Sequence, residues 1–280
     1  MASAEQLAAA GFSLAAALCW GTSDFSGGYA SKRSDAFLVT MLSHAGGFAL
    51  MLTLALLTHS ELPSRSSRMW AAAGGLLGGL ALVFFYRALS GGMGLVAPVA
   101  AVLGAAIPAG FTMITQGLPS IVAIAGFLLA GVGIWLISRP DDSGNRRGIY
   151  MAALAGLGFA GFFLCISRTG ESSALWSATC SRLASLLVVG GIVLFRRKQV
   201  GLRSGDAIVG LVAGCLDVTG TALFIRANQT GRLDSAVVLS SLYPALTVLL
   251  AWFFLKEKFT PWKTAGIVAA VLAVPMIALQ

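Results

Sequence analysis

Charge is scarce in this chain of 280 residues: 11% are Asp, Glu, Lys or Arg, against 57% hydrophobic. A soluble domain could not cover so much apolar surface with polar side chains, and the mean hydropathy of +0.86 agrees. Histidine is rarer still. There are two, neither has a second ligand at helical spacing, and a structural metal is therefore not expected. The four cysteines, Cys19, Cys165, Cys180 and Cys215, fall inside apolar stretches with no CxxC pair, which argues against both a disulfide framework and a zinc site. No basic n-region precedes the first apolar run, which begins after Glu5, so that run is expected to remain as a span instead of being cleaved. Polar stretches are too short to hold an appended soluble module.

What is present is a train of apolar runs. They fall at about 6–30, 36–58, 69–90, 94–115, 119–138, 149–169, 172–195, 205–228, 233–255 and 261–279, most of them near the roughly 20 residues that a bilayer core requires. The expected fold is an all-α polytopic membrane protein with ten transmembrane helices. A net charge of +8 would suggest nucleic acid in a soluble protein. Here the basic residues sit at the ends of the runs, where they set orientation, and no nucleic-acid partner is expected. Most Lys and Arg lie in the odd-numbered loops, counted from the one between the first two spans. The positive-inside rule puts those loops in the cytoplasm and both termini outside.

The second half repeats the first at a spacing of about 140 residues. AGFLLAGVGIWLIS (125–138) lies over AGIVAAVLAVPMIA (265–278), and GGLLGGLALVFFYRA (74–88) over GCLDVTGTALFIRA (214–227) with a one-residue slip. TMLSHAGG (40–47) overlays ATCSRLAS (178–185), which places His44 opposite Arg182. Residues 1–138 are read as a first five-helix repeat and 149–280 as a second. The segment 139–148, RPDDSGNRRG, is the linker, marked by charge, glycine and helix breakers. Five is odd, so the copies must face opposite ways. Two inverted repeats in a bilayer expose one central site to either side in turn, and the function this predicts is small-molecule transport.

Two motifs are discounted. GLGFAG (156–161) matches the dinucleotide fingerprint but sits inside an apolar run with no preceding strand, so its glycines are read as points where helix backbones approach closely. Gly74/Gly78 and Gly75/Gly79 are read the same way. Asn228-Gln229-Thr230 has the form of a glycosylation sequon but abuts a span end.

Few ionisable side chains lie within the spans: Asp24, His44, Arg182 and Asp217. An Asp or Arg costs about 2.5–3.5 kcal/mol at mid-helix on insertion scales, so such groups face a partner, the bundle interior or a wet cavity. Arg182 shares a helix face with Thr179 and Ser185, and Asp217 shares one with Ala213, Gly220, Thr221 and Phe224. In the functional reading Arg182 binds an anionic group with its planar fork, while Asp217 receives an ammonium or a proton. In the structural reading the two pair as a buried salt bridge. Asp24, with Ala17, Trp20, Gly21, Gly27 and Gly28 around it, could exchange protons as a proton-coupled exporter needs, or face the headgroups from its place near a span end. His44 is a proton relay, a cavity wall or a satisfied core histidine. Trp20, Trp176 and Tyr243 are candidate aromatic walls for an organic substrate or cation. Pro244 follows Tyr243 in SSLYPALT and removes a backbone hydrogen bond, and Gly104, flanked by Pro98 and Pro108, stands at the equivalent place, so both fourth spans of the repeat are expected to be breakable.

LCWGTSDFSGGYASKR (18–33) and SAVVLSSLYPALTVLLAWFFLKEKFTPWKTAGIVAAVLAV (235–274) resemble the drug/metabolite transporter superfamily, specifically its ten-helix EamA-type proteins. The second segment is the more specific, with a Tyr-Pro pair, an aromatic run and Lys256-Glu257-Lys258 before a Gly-containing last helix. The resemblance implies five plus five inverted helices, a cavity lined by the first four of each half, and export of amino acids, other metabolites or drugs. It also implies cytoplasmic termini, against the charge distribution. The first half departs from the pattern: Gln116-Gly117 stands where Gly-Glu would be, and Gly104 replaces a proline. The expectation is a secondary transporter of the bacterial plasma (inner) membrane, exporting a small polar or zwitterionic metabolite such as an amino acid, by rocking one half against the other. The alternative is an exporter of organic cations or drugs; a membrane-embedded enzyme or a receptor are the other classes. Substrate contacts are assigned to Arg182, Asp217, Asp24, His44, Trp20, Tyr243, Trp176 and Thr179. No cofactor is expected beyond a proton gradient as coupling candidate. A substrate, the lipid bilayer and a second copy of the chain are the candidate partners.

Overall fold

The computed structural model describes residues 4–90, 96–137, 146–196, 201–255 and 260–278. All regular structure among them is helical: α1 (Ala4–Ser31), α2 (Ala36–Leu57), α3 (Arg65–Ser90), α4 (Val96–Gln116), α5 (Ile121–Ile137), α6 (Arg146–Ser167), α7 (Ala174–Phe195), α8 (Ser204–Thr230), α9 (Leu233–Ser240), α10 (Tyr243–Leu255) and α11 (Pro261–Ala278). With α9 and α10 as one interrupted span, the helices number the ten expected, and their bounds fall within a few residues of the apolar runs. Seven spans are long and apolar enough to cross a membrane by length and composition, among them the interrupted one at Leu233–Leu255. α4 and α5 are shorter apolar helices, and α1 completes the set. Most of the expected linker, up to residue 145, and the Lys256-Glu257-Lys258 motif lie outside the described residues.

Helices dominate because a backbone in lipid must satisfy its own polar groups. Where helices begin, side chains take over: Asp35 caps α2, its carboxylate accepting from the N–H groups of Phe37 at 2.9 Å and Leu38 at 3.3 Å.

Lipid tails are as apolar as leucine, so helix pairing rests on close backbone approach and interhelical hydrogen bonds. Glycines supply the approach. A Cβ added at Gly214 of α8 would collide with the backbone of Ser43 of α2, and one at Gly75 of α3 would collide with the backbone of Ser181 of α7. The glycines of GLGFAG do the same for α6. At Gly156 a Cβ would lie 2.8 Å from Leu103 Cβ of α4, and at Gly158 it would lie 2.8 Å from Ala81 Cβ of α3. Polar bonds add to these contacts: Ser23 Oγ donates to Ala213 O at 2.8 Å between α1 and α8, and Ser185 Oγ to Gly75 O at 2.6 Å between α7 and α3.

The packing is reciprocal between the halves. α1 lies on α8 and on the α9–α10 span, while α6 lies on α3 and on α4; α2 meets α8 as α7 meets α3; α2 meets α7, and α5 meets α11. Two mixed groups result, α3/α4/α6 and α1/α8/α9–α10, each drawing helices from both halves, with α2 and α7 between them. The principal neighbours of these helices come from the other half, so the halves are not two separate bodies that could rock as such.

The interrupted span breaks at Ser241 and Leu242, immediately before Tyr243-Pro244. Its counterpart α4 runs unbroken through Gly104 and Pro108. Of the two fourth spans expected to be breakable, the second is broken and the first is continuous in this structure. Gly104 keeps the N–H that Pro244 lacks, and Pro98 sits in the first turn of α4, where no helical N–H partner is needed.

Candidate functional site

The two mixed groups enclose a cavity of about 650 Å³ of empty space, its mouth included, near the middle of the bundle. Its walls differ in chemistry. The α3/α4/α6 wall is apolar, presenting Gly78, Leu82, Ala101, Gly104, Phe159 and Phe163. The opposite wall is polar: Trp20 and Asp24 from α1, Asp217 and Thr221 from α8, Ser241 and Tyr243 at the broken span. Arg182, from α7, stands between them.

Arg182 is the centre of a network. Its Nη1 lies 2.6 Å from Asp217 Oδ2 and 3.1 Å from His44 Nδ1, and its Nη2 donates to Thr221 Oγ1 at 2.8 Å. The Arg182 and Asp217 side chains are 7% and 16% exposed, which makes this a buried pair. A guanidinium can only donate, so His44 Nδ1 must accept, and the imidazole carries its proton on Nε2. That nitrogen is buried and has no hydrogen-bond partner, as is Nε of Arg182. His44 itself does not line the cavity; it acts on it through Arg182.

Asp24 faces the cavity alone. It makes no hydrogen bond or ion pair with a described residue, whereas Asp217 is engaged by Arg182. With all three ionised, the cavity carries one negative charge more than positive.

Trp20 donates its indole N–H to Asp217 O at 3.0 Å, fixing α1 on α8. Gly220 makes room for it, since a Cβ there would lie 2.7 Å from Trp20 Cδ1. The rings of Trp20, Phe163 and Phe224 meet at centroid distances of 5.7, 5.8 and 4.8 Å. This layer crosses from α6 to α1 and α8 on one side of the charged groups.

Trp176 and Thr179 do not line the cavity. The Trp176 indole donates to Ser60 O at 2.9 Å near the start of α7, and Thr179 Oγ1 bonds back to Leu175 O at 2.8 Å within its own helix. Thr179 is a candidate because it shares a helix face with Arg182, and Trp176 because it could serve as an aromatic wall. α7 turns that face toward α2 and α3 as well as toward the cavity. Four polar lining residues are not among the contacts assigned from sequence: Ser181, Ser185, Thr221 and Ser241. Thr221 lies one turn from Asp217, which was a usable signal; Ser241 had only its place beside the Tyr-Pro pair.

Polar contacts tie both ends of the bundle. At one, Asp206 of α8 meets Arg33 and accepts from Ser34 Oγ at 2.8 Å, and Arg196 Nη1 lies 3.6 Å from Asp35 Oδ1. At the other, Trp176 donates to Ser60 O, Ser67 Oγ to Thr169 O at 3.0 Å, and Gln229 Nε2 to the carbonyls of Gly170 and Ser172, each at 2.8 Å, while Arg232 pairs with the buried Asp234 at 2.7 Å and donates to Gly117 O at 2.9 Å. Among the described residues no group of three or more His, Cys, Asp or Glu could hold a metal ion.

Residues 146–279 match the EamA-like transporter family. Human solute carrier family 35 member G1 is 26% identical over 146 residues, which are 50% of this chain and 40% of that protein. An uncharacterized protein of Methanocaldococcus jannaschii is 29% identical over 90 residues, 32% of this chain and 66% of that one. The match thus spans less than half the length of the human relative. A solved crystal structure superposes with a TM-score of 0.77, covering 96% of this chain and 95% of its own at 17% identity, which shows a shared fold.

Proposed function

The chain is an EamA-type protein of the drug/metabolite transporter superfamily, and on that premise we propose that it is a secondary transporter exporting a small polar or zwitterionic metabolite, such as an amino acid. The family points to a transporter in preference to an enzyme. The observation that carries the substrate reading is the lone carboxylate of Asp24 in a cavity whose other acid, Asp217, is already held by Arg182. An ammonium would neutralise Asp24. A substrate carboxylate would take Arg182 from Asp217, which the planar fork of the guanidinium suits. The apolar wall of Leu82, Phe159 and Phe163 would carry the organic body.

Alternating access in this reading comes from the two mixed groups changing their angle about the cavity, with the repeats inverted in the membrane. The reciprocal packing of α1 on α8 and of α6 on α3 supports it. Asp24 supplies the proton-coupling site when no substrate amine occupies it, so that proton and substrate compete for one carboxylate.

The second reading, export of organic cations, is favoured by one observation: both terminal nitrogens of Arg182 are already engaged within the protein, by Asp217, His44 and Thr221. Purified protein in liposomes, preloaded with labelled amino acids or organic cations, tests both. Efflux of zwitterions that is lost in Arg182→Ala supports the first. Efflux of cations alone, insensitive to that substitution, would replace it with the second, and no flux across a broad panel would sink both.

A further inference from the structure

The backbone break in the α9–α10 span opens onto the cavity. Pro244 has no N–H to give Ser240 O, and the N–H of Ala245 turns to Leu242 O at 3.0 Å instead of to Ser241 O. The carbonyls of Ser240 and Ser241, at the negative C-terminal end of α9, therefore lack the helix bonds that these positions would supply. Ser241 is 2% exposed and lines the cavity, and its hydroxyl makes no hydrogen bond to a described residue. The Tyr243 hydroxyl likewise has none.

Asp24 is brought to the same place by α1. A Cβ at Gly21 would lie 2.7 Å from Tyr243 O, and Thr247 Oγ1 donates to Gly21 O at 3.1 Å, so the two backbones are in contact one turn before Asp24. Elsewhere, unpartnered buried polar atoms such as Ser43 Oγ and His44 Nε2 are shut within the protein. Here the carboxylate of Asp24 and the side chains of Ser241 and Tyr243 line one open space beside the broken backbone. The carboxylate accepts, and both hydroxyls can accept as well as donate.

We propose that this break is a subsite for a primary ammonium group of the substrate. The assignment rests on the transport reading for its biological role, but the binding itself does not depend on flux. An ammonium offers three N–H donors to the Asp24 carboxylate, the Ser241 oxygens and the Tyr243 hydroxyl. Each N-methyl group removes one donor and adds bulk, so a quaternary amine forfeits all three bonds and leaves buried acceptors unpaired. A sodium ion would use the same oxygens, and the shared chemistry is that of a small, hard monovalent cation.

The test is thermal stabilisation of the purified full-length protein by β-phenethylamine, by its N,N,N-trimethyl derivative, by 2-phenylethanol, and by sodium chloride against choline chloride at equal ionic strength. The primary amine should bind at least about tenfold more tightly than the trimethyl compound, with no saturable effect of the alcohol. Ser241→Ala and Tyr243→Phe, which keep the backbone break and the fold, should each weaken the amine by several-fold, and Asp24→Asn should abolish its effect. Equal or tighter binding of the trimethyl compound overturns the proposal, as does sodium-specific stabilisation that Asp24→Asn removes, or amine binding unchanged in both Ser241→Ala and Tyr243→Phe. If amine binding fails while liposomes still export a metabolite, the subsite is wrong and the transporter reading stands. Selective amine binding without flux leaves the subsite standing and removes the transporter reading.

Discussion

His44 and Arg182, which occupy matching positions in the two sequence halves, touch each other at 3.1 Å across the α2–α7 contact. One position holds a permanent donor while the other must accept. The contact is therefore chemically asymmetric although the two positions match in the sequence alignment.

The first prediction follows from that contact. His44 should be the Nε2–H tautomer, because Nδ1 accepts from Arg182. Nitrogen-15 spectra of histidine-labelled protein check it, with His59 as the other signal. A proton on Nδ1 would mean that the Arg182–His44 contact is absent.

The second concerns the buried ion pair. Arg182→Met strands Asp217 in the bundle and should cost about 3–5 kcal/mol, as should the reverse change, Asp217→Leu. The double variant should recover much of that loss. Thermal unfolding of all four proteins forms the cycle, and additive losses would show that the two side chains are not coupled.

Close backbone contact supplies the third. Gly75→Ala and Gly214→Ala set a methyl group against the backbones of Ser181 and Ser43, and each should destabilise by about 1–3 kcal/mol or prevent folding. Gly110→Ala and Gly191→Ala, where nothing lies within 4 Å, are the controls and should give normal yields of monodisperse protein. Similar behaviour in both sets would contradict the packing.

Proton coupling supplies the fourth. Asp24→Asn removes the cavity carboxylate that has no partner among the described residues and should remove the exchange of amine-bearing substrates together with its acceleration by an imposed pH gradient. Flux in liposomes with and without the gradient measures this. An intact gradient response in the variant would move the coupling site elsewhere, with Asp217 next in line.

The span bounds were legible because a bilayer imposes a length on every apolar run, and the charged centre was legible because Asp24, Arg182 and Asp217 stand out in a chain with so few charges. Neighbour relations were not. Nothing in one dimension says that α1 lies on α8, or that the face holding Thr179 turns toward other helices. Ser241 was invisible for a related reason: in an unbroken helix a serine beside a leucine reads as packing, and only the lost Ser240 and Ser241 backbone bonds give it a role.

The mixed grouping also has a consequence for how the molecule is made. α1 cannot find its main neighbour until α8 has been synthesised, some 200 residues later, an interval on the order of 10–40 s at ordinary elongation rates. During that time Asp24 sits in the bilayer without the helices that will surround it. The first half must wait beside the ribosome's exit in lipid, or in the care of the insertion machinery, for a partner encoded about 200 codons downstream.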